Sequence, residues 1–158
     1  MIAMLFFAAG LAAQTGLFGL SFGDSLNKAD SLMSYNGFVA EEVEGSMVKY
    51  FSKYNHLVDS VVLFVDPVTE IMVGWFVKYK QENSDKQDDY VIQRLHEMHG
   101  NEVRYDDETD QFIWVLGNTQ TLHAQYVLPN NLCVLYYDSI YSVLFELPTR
   151  HWRSVKRD

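Results

Sequence analysis

Two stretches of this 158-residue chain, 47–80 and 111–147, consist of short apolar segments separated by tight turns. The first three segments, Met47–Tyr54, Leu57–Val65 and Ile71–Lys80, are joined by Asn55-His56 and by a loop that contains Asp66-Pro67. Parallel strands need a crossover connection of about a dozen residues or more, whereas antiparallel strands can be joined by turns this short. The spacing therefore predicts an antiparallel sheet.

Four further strands are predicted later in the chain: Gln111–Gly117, Thr121–Leu128, Leu132–Asp138 and Tyr141–Leu147. Apolar and polar residues alternate in the second and the fourth of these segments, so successive side chains point to opposite faces of the sheet. One face is expected to meet a helical layer, and the other to meet solvent or a partner.

Two segments, residues 24–36 and 86–99, have apolar residues at the three- and four-residue spacing of helices. Asp24 or Ser25 could cap the first helix, and Ser84 or Asp85 the second. The predicted fold class is α+β, with two helices on one face of an antiparallel sheet of about six or seven strands. The order of elements suggests a duplicated helix-plus-three-strand unit, with halves 17–81 and 82–147 and a tail at 148–158.

Charge and cysteine content exclude several classes of site. Hydrophobic residues make up 48% of the chain, which is typical of a folded domain. A net charge of −9 disfavours binding to nucleic acid or to an anionic membrane surface. The single cysteine, Cys133, cannot form an intramolecular disulfide, and its apolar neighbours predict a buried, unreactive thiol.

The first 13 residues, Met1–Ala13, are uncharged and apolar and end in Leu11-Ala12-Ala13. We expect a signal peptide that is cleaved after Ala13, which leaves a single α+β domain at 14–158 in the periplasm or outside the cell. The stretch is too short for a membrane-spanning helix, and no stable membrane anchor is expected. A buried N-terminal helix or strand is the alternative, because a basic n-region is missing.

No catalytic, cofactor or metal motif is predicted. Histidines His96 and His99 are three residues apart, whereas the zinc-protease motif needs a spacing of four. The acidic segment Asp106–Asp110 lacks the glycine and the distal glutamate of an EF-hand loop, and an acidic turn is expected instead. Thr121 lies near His123, but sequence proximity alone does not establish a catalytic triad.

Aromatic residues in the predicted strands suggest a partner-binding surface. The candidates are Tyr50, Trp75, Tyr79, Trp114 and Tyr126. The alternative is an ordinary sheet core, because tyrosine and tryptophan are common in strands and large enough to fill the space between two layers.

Several short segments resemble a group of exported bacterial proteins of uncharacterised function. They are Leu17-Phe-Gly-Leu-Ser-Phe-Gly-Asp-Ser25, Tyr35-Asn-Gly-Phe38, Val61-Val-Leu-Phe-Val65, Trp114 and Leu135-Tyr-Tyr-Asp138. The helix-plus-sheet pattern is also similar to the repeat units of β-lactamase inhibitor protein and of small outer-membrane assembly lipoproteins. An expected exported domain, a helix-and-sheet architecture that can present a sheet to partners, and aromatic-rich strands without a proposed nucleophile, metal set or cofactor loop together favour a noncatalytic binding or interaction module of the cell envelope. Its partner would be an envelope protein, a peptide or a glycan. A hydrolase-type enzyme whose site is dispersed in the sequence is the alternative.

Overall fold

The computed structural model describes residues 15–127 and 131–145. The predicted leader and the tail at 148–158 therefore lie outside the described residues. The first half consists of helix α1 (Leu26–Tyr35) and strands β1 (Phe38–Glu44), β2 (Met47–Ser52), β3 (Val58–Val65) and β4 (Met72–Tyr79). The second half consists of helix α2 (Asp85–His99) and strands β5 (Val103–Asp106), β6 (Gln111–Val115), β7 (Gln120–Val127) and β8 (Asn131–Asp138).

The strands of the described residues form one antiparallel sheet of eight, in the order β1-β2-β3-β4-β8-β7-β6-β5. The α+β class and the antiparallel sheet are thus confirmed, but the predicted count of six or seven strands was too low. The two strands without a predicted counterpart, β1 and β5, are the sheet edges. An edge strand pairs on one side only and buries fewer residues, so its apolar alternation is weak.

Each half is a helix followed by a four-stranded meander, and the last strands of the two halves pair with each other. Phe76 pairs with Leu135 at the centre of this β4–β8 ladder. Elements of the second half follow their counterparts by about 60 residues. Each half therefore contains one helix and four strands, rather than the predicted three strands.

Local signals fix both helix starts. The Ser25 hydroxyl accepts a hydrogen bond from the Lys28 amide at 3.3 Å, and Ser84 forms a capping box with Gln87. Gly100 follows α2 with φ of 87°, a left-handed conformation that glycine adopts without steric cost. Neither described helix is long and apolar enough to span a membrane.

The main core lies between the helices and one face of the sheet. Ala29 and Met33 of α1 and Val91 and Leu95 of α2 pack into the same cluster of buried side chains. Full burial of each large apolar side chain contributes about 1.5–3 kcal/mol to the free energy of unfolding. This layer is therefore the principal source of stability.

The opposite face carries a smaller cluster around Phe64, Leu135 and Phe145. The predicted strand Tyr141–Leu147 is wrong over its described part, because a 3₁₀ turn at Ser139–Tyr141 leads into a helical turn at 142–145. The Asp138 carboxylate starts this turn by accepting a hydrogen bond from the Ile140 amide at 3.1 Å. Phe145 then packs on Phe64, with 4.5 Å between ring centroids. Tertiary packing of Phe145 outweighs the strand-like alternation of the sequence.

Candidate functional site

Four of the five predicted partner-binding aromatics lie in the main core. Tyr50, Trp75, Tyr79 and Trp114 are each exposed by 3% or less, whereas Tyr126 is 46% exposed. The four buried residues point to the face that the helices cover, so they do not form an exposed platform. This placement agrees with the alternative interpretation, in which these aromatic residues form an ordinary sheet core.

The buried aromatics have defined roles in the core. Trp75 stacks on Tyr136 with ring centroids 4.0 Å apart. The Tyr50 hydroxyl donates to the Asp30 carboxylate at 2.9 Å and thereby joins the sheet to α1. The Trp114 indole N–H donates to the carbonyl of Gly100 at 3.1 Å, at the end of α2. These contacts position the helices on the sheet.

A groove of about 140 Å³, here called the α2 groove, lies between helix α2 and the N-terminal 3₁₀ turn at Leu17–Gly19. Leu17 and Phe18 form one wall, Tyr90, Val91 and Arg94 of α2 form the other, and Asn55, Leu57, Val58 and Tyr79 complete the lining. The lining is mostly apolar, with polar groups from only a few side chains. A cavity of about 150 Å³ is large enough to bind benzene, so the α2 groove can take one ring-sized group.

Phe18 forms part of the groove wall in an unusual backbone conformation. Its φ is 63° and its ψ is 13°, which is the left-handed region. This region is uncommon for a bulky residue, and strained residues of this kind cluster at functional sites. The Asn36 amide donates to the Phe18 carbonyl at 3.1 Å, and the Phe18 ring packs on Phe38 at 5.0 Å. These contacts hold the wall in place.

Exposed tyrosines lie on the elements around the groove. Tyr90 is 59% exposed on α2, and Tyr54 is 76% exposed in the β2–β3 loop, next to the groove residue Asn55. Tyr35 is 90% exposed at the end of α1, directly before Asn36. Tyrosine combines a large apolar ring with a polar hydroxyl and is enriched at protein interfaces. The groove therefore has the surroundings of a binding surface.

A buried carboxylate, Asp88, lies one helical turn before the groove residue Val91. Asp88 is only 5% exposed, and its Oδ1 atom has no hydrogen-bond partner within residues 15–127 and 131–145. Burial raises the pKa of Asp88, hydrogen bonds from Asn83 and Tyr126 oppose this effect, and the charges of Asp85 and Asp89 add to it. The site thus has unused capacity to accept a hydrogen bond.

Tyr79 and Tyr126 both lie near this carboxylate. Burial and then the charge of Asp88 raise the pKa of Tyr79 well above its usual value. The same causes raise the pKa of Tyr126 to about 12. Two of the five predicted residues, one in β4 and one in β7, thus lie near Asp88 of α2. Sequence reasoning missed Asp88, although it stands three residues before Val91 on the apolar stripe, where a charged residue is unexpected.

The end of α2 holds a hydrogen-bonded pair in the core. The Tyr136 hydroxyl accepts from the Leu17 amide at 3.2 Å and lies 2.9 Å from His99 Nε2. Since the tyrosine oxygen accepts from Leu17, its own proton can be donated to a neutral His99 ring. Burial lowers the pKa of His99 and so favours this neutral form.

A second polar arrangement lies on the helix-free face of the sheet. His123 Nδ1 is 3.0 Å from Gln111 Oε1, and His123 Nε2 is 2.9 Å from Thr121 Oγ1. An amide oxygen only accepts, so Nδ1 carries the proton and Nε2 accepts from the Thr121 hydroxyl. Burial and then the charge of Arg104 lower the pKa of His123, which favours the neutral ring. Thr121 and His123, which were neighbours only in sequence, are thus hydrogen-bonded.

Within the described residues, no group of three or more histidine, cysteine, aspartate and glutamate side chains is placed to hold a metal ion. His96 packs edge-on against Trp114 at 5.2 Å, away from any carboxylate ligand set. Asp106 accepts from the Glu108 amide at 3.0 Å, in the turn between β5 and β6. Cys133 is buried, and burial raises the pKa of its thiol to about 12, as expected of an unreactive cysteine.

Comparisons with protein families, curated proteins and solved structures found no match to this chain.

Proposed function

We propose that this protein is a noncatalytic binding module of the cell envelope and that the α2 groove receives one apolar side chain of a polypeptide partner. The observation that carries the proposal is the apolar groove of about 140 Å³. At Phe18 the backbone of its wall is in a strained conformation, which contacts with Asn36 and Phe38 hold in place. The apolar segment at residues 1–13 and the resemblance to exported proteins support a location in the periplasm or outside the cell.

A polypeptide suits the surroundings of the groove better than a free small molecule. The groove takes a single ring-sized group, but the exposed tyrosines Tyr35, Tyr54 and Tyr90 extend the surface beyond it. Interfaces between proteins place an anchoring side chain in a pocket and surround it with contacts that exclude water. The groove would hold the anchor, and the tyrosines would supply the surrounding contacts.

Filling the groove should abolish binding of a ring-sized probe. Leu57 lines the groove and is half-buried, so Leu57→Phe adds a ring where the probe would lie. We expect N-acetyl-phenylalanine amide to shift the backbone NMR signals of Leu17, Tyr79 and Val91 in the natural protein and to leave them unchanged in Leu57→Phe. The measurement is an amide-detected titration of both proteins.

Val115→Phe is the matched control, because Val115 is 76% exposed and lies on the helix-free face of the sheet. This variant should bind the probe as the natural protein does. The groove assignment would be overturned if the probe shifted signals elsewhere or if both phenylalanine variants bound it equally.

A hydrolase is the second candidate function, and the Thr121–His123–Gln111 arrangement is the observation that favours it. The Thr121 Oγ would attack an acyl carbonyl carbon while its proton passes to His123 Nε2. The leaving group would then take that proton, and water would hydrolyse the acyl-threonine ester. Gln111 orients the ring but is neutral, so it stabilises the protonated histidine less than a carboxylate would.

This second function predicts that Thr121→Val removes hydrolysis of p-nitrophenyl acetate, with a loss of about 100-fold or more, because the nucleophile is absent. Thr119→Val, two residues earlier in the β6–β7 turn, is the matched control and should keep the full rate. Release of p-nitrophenol is followed by absorbance. Equal rates in all three proteins would eliminate Thr121 as a nucleophile.

A further inference from the structure

We infer that residues 146–158 of this chain pack on the helix-free face of the sheet, where Trp152 covers an apolar row formed by Val62, Phe76 and Leu135. The α2 groove lies on the helix side of the sheet, so this inference is independent of the proposed function.

The central strands have the composition of a sheet that is covered on both faces. Strands β3, β4 and β8 are nearly continuous apolar runs, and every one of their residues is buried or half-buried. A strand with one face in water alternates between apolar and polar residues, as β7 does. Because the two described helices cover only one face, the centre of the other face needs a cover of its own.

The apolar row marks the centre of this second face. Val62 of β3 pairs with Phe76 of β4, and Phe76 pairs with Leu135 of β8, so the three side chains lie side by side across the strands. All three belong to the cluster around Phe64 and Phe145. Such a row is typical of a sheet face that packs against another layer.

The last described residue, Phe145, lies on this face. Its ring is 4.5 Å from that of Phe64 and 4.9 Å from that of Tyr137. The 13 residues that follow can reach about 40 Å when extended, whereas the eight strands span about 35 Å. Residues 146–158 therefore begin beside the apolar row and are long enough to cross it.

Residues 146–158 also differ in charge from the rest of the chain. They contain four of the 12 lysine and arginine residues and two of the 21 acids, so their charge is +2 and that of the other residues is −11. Opposite charges attract this basic segment to the surface of the domain.

A cavity of about 90 Å³ lies next to the row and is lined by Val62, Met47, Lys49 and Glu44. Lys49 pairs with Glu41 at 3.9 Å, whereas Glu44 has no ion pair among the described residues. Apolar space and an available acid thus lie together, which suits a segment that contains both apolar and basic residues.

Trp152 is the residue of the segment best suited to cover the row. It is the largest apolar residue in 146–158, and it lies between Arg150 and Arg153. Tryptophan and arginine are enriched among the residues that carry most of the energy of an interface. The indole would bury the row while the arginines reach acids around it.

The test places a nitroxide on Ser154→Cys in the full chain. Cys133 is buried, and burial raises the pKa of its thiol to about 12, so only the new cysteine reacts. The paramagnetic relaxation rates of the backbone amide signals are measured by NMR. We expect fast relaxation at Val62 and Leu135 and little at Val91, which lies on the helix side of the sheet.

Trp152→Ala in the spin-labelled chain should lower the relaxation rates at Val62, Phe76 and Leu135 several-fold, because the nitroxide would no longer be held near the sheet. His151→Ala is the matched control, since it removes the adjacent ring, which points away from the sheet when Trp152 points toward it. This variant should keep the rates of the natural sequence.

Equal relaxation rates with and without the Trp152 side chain would overturn the inference. Relaxation as fast at Val91 as at Val62 would also overturn it, because the segment would then sample both sides of the sheet. A mixture of spin-labelled chains with isotope-labelled chains that lack the nitroxide reports on a second copy. Fast relaxation at Val62 in this mixture would overturn packing within one chain in favour of a segment donated by another copy.

Discussion

Replacing Trp75 with alanine is expected to lower the free energy of unfolding by about 3–5 kcal/mol, the usual cost of removing a large buried aromatic side chain. Trp75 has no exposed surface and stacks on Tyr136 at 4.0 Å, with Phe22 at 5.1 Å on another side. The backbone of Gly16 also lies against its ring, since an added Cβ there would collide with Trp75. The cavity would therefore open where the N-terminal segment meets the sheet.

Equilibrium unfolding in urea measures this effect, with Tyr35→Ala as the control. Tyr35 is 90% exposed, and its replacement should change stability by no more than about 0.5 kcal/mol. A loss of less than about 1 kcal/mol in Trp75→Ala, with an unchanged urea slope, would contradict the position of Trp75 in the core.

Because Trp75 is buried, loss of partner binding in this variant would report a loss of folding. The same holds for Trp114, which is 1% exposed. Exposed or half-exposed residues of the α2 groove are the better positions for binding experiments, and Tyr90 and Leu57 are two of them.

Replacing Gly74 with alanine should destabilise the protein by about 2–3 kcal/mol, since overpacking of a filled core has costs of this size. An added Cβ at Gly74 would lie 2.5 Å from the carbonyl oxygen of Tyr136 and 2.6 Å from the Phe145 ring. The backbone of β8 cannot move away without disturbing the β4–β8 ladder that joins the two halves. The substitution thus tests the central pairing of the sheet.

Thermal unfolding followed by circular dichroism measures this loss. Gly117→Ala is the matched control, because the nearest atom to its added Cβ is Gln120 Oε1 at 3.5 Å, an ordinary contact. If Gly74→Ala were as stable as Gly117→Ala, then Gly74 would not be packed as the structure has it.

The candidate site illustrates why aromatic content alone is a weak guide to binding. A tyrosine or tryptophan in a strand has the same sequence pattern whether its face meets helices or solvent. Tyr50 and Trp114 occupy corresponding positions in the two halves, and both are covered by the helical layer. The groove, by contrast, is assembled from four separate parts of the chain, and none of them carries a local motif for it.

The sequence by itself determined the elements whose signals are local. Turns too short for crossovers required antiparallel pairing, and serine caps with apolar spacing fixed α1 and α2 to within a few residues. Only the tertiary structure decided which sheet face the helices cover, that β4 pairs with β8, and that the chain turns at Ser139 instead of forming a ninth strand. These features depend on contacts between residues far apart in the chain, such as Phe145 on Phe64 and Trp75 on Tyr136. Sequence periodicity predicts that a side chain is buried, but only the tertiary packing determines which residues cover it.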